Sequence, residues 1–498
     1  MNVNPITRLD YPDPDVIRVE DTYYMVSTTM HFMPGCEILQ SFDLVHWEHA
    51  TYVYETLDHT DAQQLKSGQN IYGQGMWAAS LRYHEGRFYI CFVANDTRKT
   101  YLYTSEKIDG PWKKQLIEGF YHDGSLLFDE DGRNYIVYGN DEIWITELNE
   151  DLTAPKKDGL HRLLVSDHKN PELGYEGSHI QKINGYYYIF MIHSLRDRWM
   201  RTEACFYSDS LEGEFTGGDV LCDDRGYCGQ GMAQGGIVDT PDGKWYAMLF
   251  QDSGAVGRIP ILLPVTWKDH FPVFGQNGHV PEEIEVHSTR PGYIYQPLVG
   301  SDDFCNGLLP RWQFNHDPDP RYYHLDALQG TYTITTREVC TELTQAVNTL
   351  TQRMSYPSCA AEVTVDASAL KEGDVAGLCA LQGCYAAVGI TKHHGKYEVL
   401  MLDKKEDGIL DMTEGTVVES HQMDFRLEAD FCNMKDEARC YYRVNKGDWL
   451  PIGTVHKLYF KLDHFTGCRF GLFCYAAEET GGSACFRDFK YYDVDEIS

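Results

Sequence analysis

The sequence is poor in positive charge. Its 43 Lys and Arg residues are outnumbered by 75 Asp and Glu, which gives a formal net charge of −32 over 498 residues. A surface this acidic repels phosphate groups and anionic lipid headgroups. We therefore expect neither a nucleic acid nor a membrane as a partner, whereas the formation of a homo-oligomer is left open.

Long apolar runs and paired cysteines are also missing. No stretch reaches the roughly 20 apolar residues that a membrane-spanning helix needs, and residues 1–5 carry neither the basic segment nor the apolar run of a secretory leader. The 15 cysteines are an odd number, form no CxxC pair and lie in strand-like apolar context. This pattern is typical of reduced, buried thiols. We predict a cytoplasmic protein without bound zinc.

One phrase recurs five times in the first half of the chain: a tight polar turn followed by aromatic residues and a β-rich run. The copies lie at residues 21–24, 85–89, 131–135, 184–188 and 242–246. Turn residues that tolerate positive φ, placed before residues that suit a half-buried pleated surface, are typical of a β-hairpin. The intervals between copies suit four-stranded blades with loops of variable length. Residues 1–299 are therefore predicted to form a five-bladed β-propeller.

The remainder of the chain predicts a second domain, as expected for a length beyond one usual core. A Pro-rich segment follows the fifth copy, and we place the boundary near Gly300. Strand patterns with little helical periodicity come next, for example at residues 360–365, 397–401 and 470–475. They predict a β-sandwich in residues 300–498, so the whole protein is expected to be all-β.

The repeat also aligns one position in each blade. Eleven or twelve residues before the last tyrosine of each copy, the chain should lie on the innermost strand, where it meets the central depression. These positions hold, in order, Asp13, Trp77, Asp123, Glu176 and Gln234. Three of them are carboxylic acids on three different blades, so radial repetition gathers them into one cluster.

Such a cluster suits glycoside hydrolysis. This reaction needs one protonated carboxyl that donates to the leaving oxygen and one ionised carboxylate on the opposite face of the sugar ring. A third carboxyl can raise the pKa of the acid by like-charge repulsion and can orient it.

Each aligned residue also has a structural interpretation. Asp13 in a Pro-Asp-Pro segment and Asp123 before a glycine are common turn formers, and Trp77 can equally fill a core. A glutamate on an inner strand is hard to explain without a function, so Glu176 is the least ambiguous. The shared alignment favours the catalytic interpretation for the three acids.

Several segments resemble glycoside hydrolase family 43. They are Tyr-Pro-Asp-Pro-Asp at 11–15, Trp-Ala-Ala-Ser at 77–80, Tyr-Glu-Gly-Ser-His at 175–179, the Gln-Gly-Gly segment at 234–240 and Gly-Arg-Ile-Pro at 257–260. The C-terminal part, through residues 350–353 and 373–378, resembles the concanavalin-A-like jelly-roll sandwich of the β-xylosidase branch. By this resemblance Asp13 is the general base, Glu176 the general acid, and Asp123 the residue that orients the acid and tunes its pKa, with inversion of configuration.

The resemblance also implies the binding residues. Arg290 matches an arginine that reaches into the sugar-binding subsite, and Trp77, Met30 and Phe32 would form the apolar walls. Gln234 is expected at the substrate too. For Arg290 the alternative is a surface ion pair, and for Met30 and Phe32 it is a place in the core.

Metal content departs from the family pattern. Many relatives keep a histidine just before the Gln-Gly-Gly segment, often associated with a metal, but this chain has Ala233, which cannot ligate. We therefore predict no metal and no cofactor, and a channel calcium is not supported.

The expected function is that of an exo-glycosidase. It would release terminal β-D-xylosyl or α-L-arabinofuranosyl units from short xylo- or arabino-oligosaccharides, with the choice of sugar left open. Two alternatives remain: a retaining five-bladed glycosidase of the invertase type, in which Asp13 attacks the sugar directly, and a glycan-binding propeller without catalysis. In relatives a loop of the sandwich helps to close the pocket, but the sequence does not show which residue does so here.

Overall fold

Seven antiparallel sheets build residues 3–493. The computed structural model describes residues 3–493, so residues 1–2 and 494–498 of the two predicted domains lie outside the described residues. Five sheets form the blades of a propeller and two larger sheets form a sandwich, which confirms the predicted all-β class. Within residues 3–493, the helical elements are short 3-10 turns at Lys66–Gly68, Leu343–Gln345 and Cys432–Met434. None of these is long and apolar enough to cross a membrane.

The propeller strands follow one another in chain order around the axis. The first two blades contain β1 (Asp15–Val19), β2 (Thr22–Ser27), β3 (Phe32–Met33), β4 (Gly35–Ser41), β5 (Glu48–Tyr54), β6 (Met76–His84), β7 (Arg87–Ala94), β8 (Lys99–Ser105) and β9 (Lys113–Ile117), of which β3 pairs outside its blade. The third and fourth contain β10 (Ser125–Phe128), β11 (Asn134–Asn140), β12 (Glu142–Leu148), β13 (His161–Ser166), β14 (Glu176–Ile183), β15 (Tyr186–Ser194), β16 (Arg201–Ser208) and β17 (Thr216–Leu221). The fifth contains β18 (Met232–Ala233), β19 (Ile237–Asp239), β20 (Trp245–Asp252), β21 (Arg258–Lys268) and β22 (Phe271–Phe274).

The recurring phrase forms the turn between the first two strands of the first four blades, and between β19 and β20 in the fifth. In the second copy Glu85 and Gly86 have φ of 48° and 78°, and in the fourth Asn184 and Gly185 have φ of 50° and 85°. Two consecutive residues with positive φ make the hairpin turn whose twist matches that of the flanking strands. The turn therefore sets the pairing register of the two strands, and with it the positions of the aromatic residues in the blade.

The sandwich strands form two stacked sheets. They are β23 (Gln313–Asn315), β24 (Tyr323–Asp326), β25 (Thr331–Thr335), β26 (Leu350–Arg353), β27 (Ser358–Asp366), β28 (Val375–Leu381), β29 (Tyr385–His393), β30 (Lys396–Lys404), β31 (Leu410–Met412), β32 (Thr416–Val418), β33 (Gln422–Asp430), β34 (Glu437–Val444), β35 (Leu450–Lys457), β36 (Arg469–Tyr475) and β37 (Ser483–Asp493). One sheet has the order β3-β23-β26-β36-β28-β29-β30-β31, with β32 also on β30, and the other has β24-β25-β37-β27-β33-β34-β35. Apolar side chains of both sheets, such as Leu378 and Phe425, fill the core between them.

The two domains share a sheet. Strand β3 leaves the first blade, and its Phe32 and Met33 pair with Asn315 and Phe314 of the sandwich. Beside this junction Arg353 Nη1 lies 2.8 Å from Glu37 Oε2, and both side chains are buried. Backbone pairing and a buried ion pair fix the sandwich against one side of the propeller.

A single guanidinium joins the inner strands at the propeller axis. Arg82 of the second blade bonds Asp15 of the first at 2.7 Å, the Ser125 hydroxyl of the third at 2.7 Å and the Ile180 carbonyl of the fourth at 3.2 Å. Asp15 also accepts from the Leu81 amide at 2.7 Å and lies 3.1 Å from His179. Burial favours protonated Asp15, but the charges of Arg82 and His179 outweigh it and lower the pKa of that carboxyl.

We expect Arg82→Met to destabilise the protein by about 3 kcal/mol, because it leaves the buried Asp15 carboxylate without its main counter-charge. Chemical unfolding followed by tryptophan fluorescence should show a lower midpoint. Arg133→Met is the matched control: its ion pair with Asp131 is exposed, so its loss should cost less than about 0.5 kcal/mol. Equal midpoints for the two variants would show that the axial contacts contribute no more than surface ones.

Candidate active site

The chain enters the central depression through an unusual backbone conformation in every blade. Asp13, Ala78, Asp123, Gly177 and Gln234 have φ of 53°, 30°, 48°, 62° and 59°. Non-glycine residues are rare in this left-handed region and tend to be held there at functional sites. At Gly177 a Cβ would stand 2.6 Å from the Gln234 side chain, so glycine permits the close approach of two blades.

These turns surround one cavity of about 140 Å³. All five residues aligned by the repeat line this cavity. Seven further residues complete its wall: His122, Leu173, Trp199, Arg201, Arg258, Leu462 and Phe465. All five blades and the sandwich therefore contribute to it.

Asp13 is held at both carboxylate oxygens. Arg258 Nη1 donates to Oδ1 at 2.7 Å, and the Thr28 hydroxyl donates to Oδ2 at 2.5 Å. The Thr28 oxygen in turn accepts from the Ala78 amide at 2.9 Å. With both contacts in place the buried carboxylate has one fixed orientation towards the cavity.

A second arginine lies beside the first. Asp252 accepts from Arg201 Nε at 2.5 Å and from Arg258 Nε at 3.3 Å, so one buried carboxylate holds both guanidinium groups. Nη2 of Arg201 makes no hydrogen bond with the described residues although it is buried. Because an unpaired buried donor is costly, this atom is suited to an oxygen of a ligand.

Glu176 and Asp123 face each other across an imidazole. His122 Nε2 lies 3.4 Å from Glu176 Oε2 and 3.6 Å from Asp123 Oδ2. Asn140 donates to the same Glu176 oxygen at 2.6 Å. Asp123 Oδ2 accepts from the amide of Gly177 at 3.1 Å, and since that residue directly follows Glu176, Asp123 positions the backbone of the glutamate.

The three groups have strongly perturbed pKa values. The charge of Asp123 raises the pKa of His122 to about 9, against the effect of burial and with help from Glu176. Burial, with the charges of Glu176 and Asp13, raises the pKa of Asp123 to about 6 although His122 opposes it. Burial favours protonated Glu176 as well, but the hydrogen bond and charge of His122, with Arg201 and Arg258, lower its pKa.

This pattern differs from the sequence expectation. The sequence predicted that like-charge repulsion from Asp123 raises the pKa of Glu176. In the structure His122 lies between the two carboxylates, and its hydrogen bond and charge lower the pKa of Glu176 instead. His122 was missed because the repeat aligns only one residue per blade.

The sandwich supplies one side of the cavity. Leu462 and Phe465 come from the loop between β35 and β36. The Phe465 ring lies 5.0 Å from the Trp77 ring, and the Arg258 guanidinium stands 3.7 Å above its centre. Asp10 ties this loop to the propeller, since its carboxylate accepts from the Arg258 and Gly467 amides, each at 2.8 Å.

Three predicted binding residues lie elsewhere. Arg290 is half-exposed, donates to Asp21 at 2.7 Å and stacks on Phe42, so the prediction that it reaches the subsite is wrong and the surface ion pair is correct. Arg258 contacts Asp13 instead, and it lies in the Gly-Arg-Ile-Pro segment that the resemblance already included.

Met30 and Phe32 do not line the cavity either. Both are buried at the junction of the domains, where Met30 pairs with Met76 and Phe32 pairs with Asn315. The Arg469 guanidinium covers the Phe32 ring at 3.4 Å. Their apolar character serves the interface with the sandwich.

Within residues 3–493, one group of donor atoms is spaced as a metal would require: those of His122, Asp123 and Glu176 lie within 4.8 Å of one another. We assign no metal to this group. Ala233 is buried in β18 and offers no ligand atom. The absence of metal and cofactor stays a prediction.

Comparison with known proteins agrees with this geometry. Residues 3–272 match the family described as Glycosyl hydrolases family 43, and residues 301–492 match the Beta xylosidase C-terminal Concanavalin A-like domain. A beta-xylosidase of Formosa agariphila is 26% identical over 99% of this chain and 89% of its own length. A xylosidase/arabinosidase of Butyrivibrio fibrisolvens is 24% identical over 99% of both chains.

Solved structures are similar over nearly the whole chain. A bifunctional GH43-CE protein of Bacteroides eggerthii has a TM-score of 0.91 and 42% identity over 98% of this chain, which spans 63% of that longer protein. A GH43 glycoside hydrolase engineered for endo-xylanase and exo-arabinofuranosidase activity has a TM-score of 0.86 and 27% identity over 99% of both chains.

We expect Asp123→Asn to lower the pKa of His122 from about 9 by roughly one unit or more, because the amide keeps the shape but removes the charge that chiefly stabilises the imidazolium. The pKa can be read from the imidazole proton signals in an NMR titration, with His122→Asn assigning the resonance. Asp131→Asn, on the outer turn of the same blade, should leave it unchanged. An unshifted His122 in Asp123→Asn would contradict the electrostatic coupling.

Proposed function

We propose, from the premise that this chain belongs to glycosyl hydrolase family 43, that it is an inverting exo-glycosidase acting on terminal pentose units. As a member of the xylosidase and arabinofuranosidase family it is a glycoside hydrolase, and its substrate is an oligosaccharide. The proposal adds β-D-xylosyl or α-L-arabinofuranosyl as the released unit, in keeping with the named activities of the relatives. A cytoplasmic location, which favours short imported oligosaccharides, stays a prediction.

The observation that carries the proposal is the arrangement of Asp13, Asp123 and Glu176, from three blades, around one small cavity. Its volume of about 140 Å³ is well below the ~300 Å³ at which pockets for drug-sized ligands begin. Phe465 and Leu462 close one side, so there is room for one sugar ring. A cavity of this size favours removal of a terminal unit over cleavage within a polymer.

Each carboxyl has a role that its contacts support. Asp13, fixed by Arg258 and Thr28, takes a proton from the water that attacks the anomeric carbon. Glu176 donates a proton to the glycosidic oxygen, which leaves as an alcohol. Asp123 holds the backbone beside Glu176 and balances the charge of His122.

Carboxyl variants test these roles. Glu176→Gln should reduce kcat by about 10²–10⁴-fold for an oligosaccharide, whose leaving group needs a proton, and much less for a dinitrophenyl glycoside. Asp13→Asn should reduce kcat for both substrates, because each needs activated water. Asp21→Asn, on the outer surface of the first blade, is the control and should match the parent. Parental hydrolysis of oligosaccharides by either carboxyl variant would refute its role. A glycan-binding propeller without catalysis predicts instead that the parent itself hydrolyses neither substrate.

The stereochemistry distinguishes the inverting proposal from the retaining alternative. Proton NMR during the first minutes of hydrolysis should show the product anomer opposite in configuration to the substrate, because water attacks in a single displacement. Nitrophenyl β-D-xyloside and α-L-arabinofuranoside should be compared in parallel to identify the sugar, with a galactoside as the control. An initial product of retained configuration would assign Asp13 as the nucleophile.

A further inference from the structure

We propose that His122 stores the proton that Glu176 delivers to the leaving group, so that the imidazole carries it between turnovers. The inference rests on the proposed role of Glu176 as general acid. Its basis is position: His122 lines the cavity, and its Nε2 lies 3.4 Å from Glu176 Oε2 and 3.6 Å from Asp123 Oδ2. A proton on this nitrogen needs no intermediate group to reach the glutamate.

Charged groups from every side fix where the proton rests. Asp123 adjoins His122 in the chain, Glu176 faces it from β14, and Asp13 acts on it from the first blade. Arg201 of β16 and Arg258 of β21 act on Glu176 and favour its ionised form. Three carboxylates thus stabilise the imidazolium, while two guanidinium groups keep the proton off the glutamate in the resting enzyme.

The resting and reactive arrangements contain the same number of protons. In one the proton is on His122 and Glu176 is ionised; in the other it is on Glu176 and His122 is neutral. Because these forms are tautomers, pH does not change their ratio. Sugar binding does change this ratio, because displacing water from the cavity destabilises the ion pair of His122 and Glu176 more than the neutral pair. Substrate binding therefore drives the proton from Nε2 to Glu176.

The proton balance closes over one turnover. Glu176 gives its proton to the glycosidic oxygen as the bond to the anomeric carbon breaks. The attacking water gives a proton to Asp13 as its oxygen bonds to that carbon. Asp13 then releases one proton to solvent, and His122 takes one up. The net reaction is the addition of water across the glycosidic bond.

The pH profile of the parent and of His122→Asn tests the proposal. In the parent, the alkaline limb of kcat/KM for an oligosaccharide should follow loss of the stored proton, near the His122 pKa of about 9. In His122→Asn the proton must reside on Glu176 itself, and because Arg201 and Arg258 still favour the ionised carboxylate, this proton is lost at a lower pH than the one on His122. The alkaline limb should therefore move towards acid, so that the ratio of the rate at pH 8.5 to that at pH 6 falls by roughly 10–100-fold.

Two controls separate this effect from others. A dinitrophenyl glycoside needs little proton donation, so its alkaline limb should be nearly the same in parent and variant. His46→Asn, an exposed histidine of the first blade, should leave both profiles unchanged. An unshifted limb in His122→Asn, with Glu176→Gln still defective on oligosaccharides, would overturn the proton store but not the acid role. Loss of oligosaccharide hydrolysis on chelation, restored by Zn²⁺, would instead assign the three side chains to a metal.

A measurement on the parent protein covers the case in which His122→Asn fails to fold. The NMR titration of His122 should be recorded without sugar and with saturating D-xylose or L-arabinose. Sugar that fills the cavity should lower the apparent pKa of the imidazole, as the proton moves to Glu176. An imidazole that stays equally protonated with bound sugar would contradict the transfer.

Discussion

The inner strands of the propeller lie around one axis, and the Arg82 guanidinium stabilises their packing there. Backbone and side-chain acceptors of blades one, three and four converge on it. A guanidinium suits this place because it presents five donors in a rigid plane and stays charged when buried. Asp15 supplies the balancing charge. Since Asp13, Asp123 and Glu176 all lie immediately before or at the start of inner strands, the contacts of Arg82 contribute to their separations.

The sandwich completes the site that the propeller begins. Strand β3 is part of a sandwich sheet although it comes from the first blade, so the two domains cannot separate without breaking a backbone ladder. The same side of the propeller receives the loop of Phe465, whose ring supports the Arg258 guanidinium that holds Asp13. The orientation of the Asp13 carboxylate is thereby coupled to a residue more than four hundred positions away in the chain.

The sequence predicted the residues that the repeat itself positions. Hairpin turns and blade spacing are local signals, and one aligned position per blade was enough to bring Asp13, Trp77, Asp123, Glu176 and Gln234 to one cavity. Residues whose place depends on tertiary packing were not predictable in this way. Arg290 and Arg258 both stand beside proline-rich extended segments, and only the three-dimensional path shows that the first pairs with Asp21 on the surface. Phe32 is apolar whether it faces a sugar or a neighbouring sheet.

The sequence pattern did not predict His122 as a residue of the site for a more specific reason. In a regular strand neighbouring side chains point to opposite faces, so the residue before an aligned aspartate would be expected to face away from it. The left-handed conformation of Asp123 breaks that alternation, and both side chains reach the cavity. The same backbone feature that presents the carboxylates therefore also places a cation between two of them. Without the imidazole of His122, Asp123 and Glu176 would face each other as like charges, and one of the two carboxyls would have to be neutral in the resting site. With His122 between them, both carboxylates can stay ionised in the resting site, as the proposed storage of the proton on His122 requires.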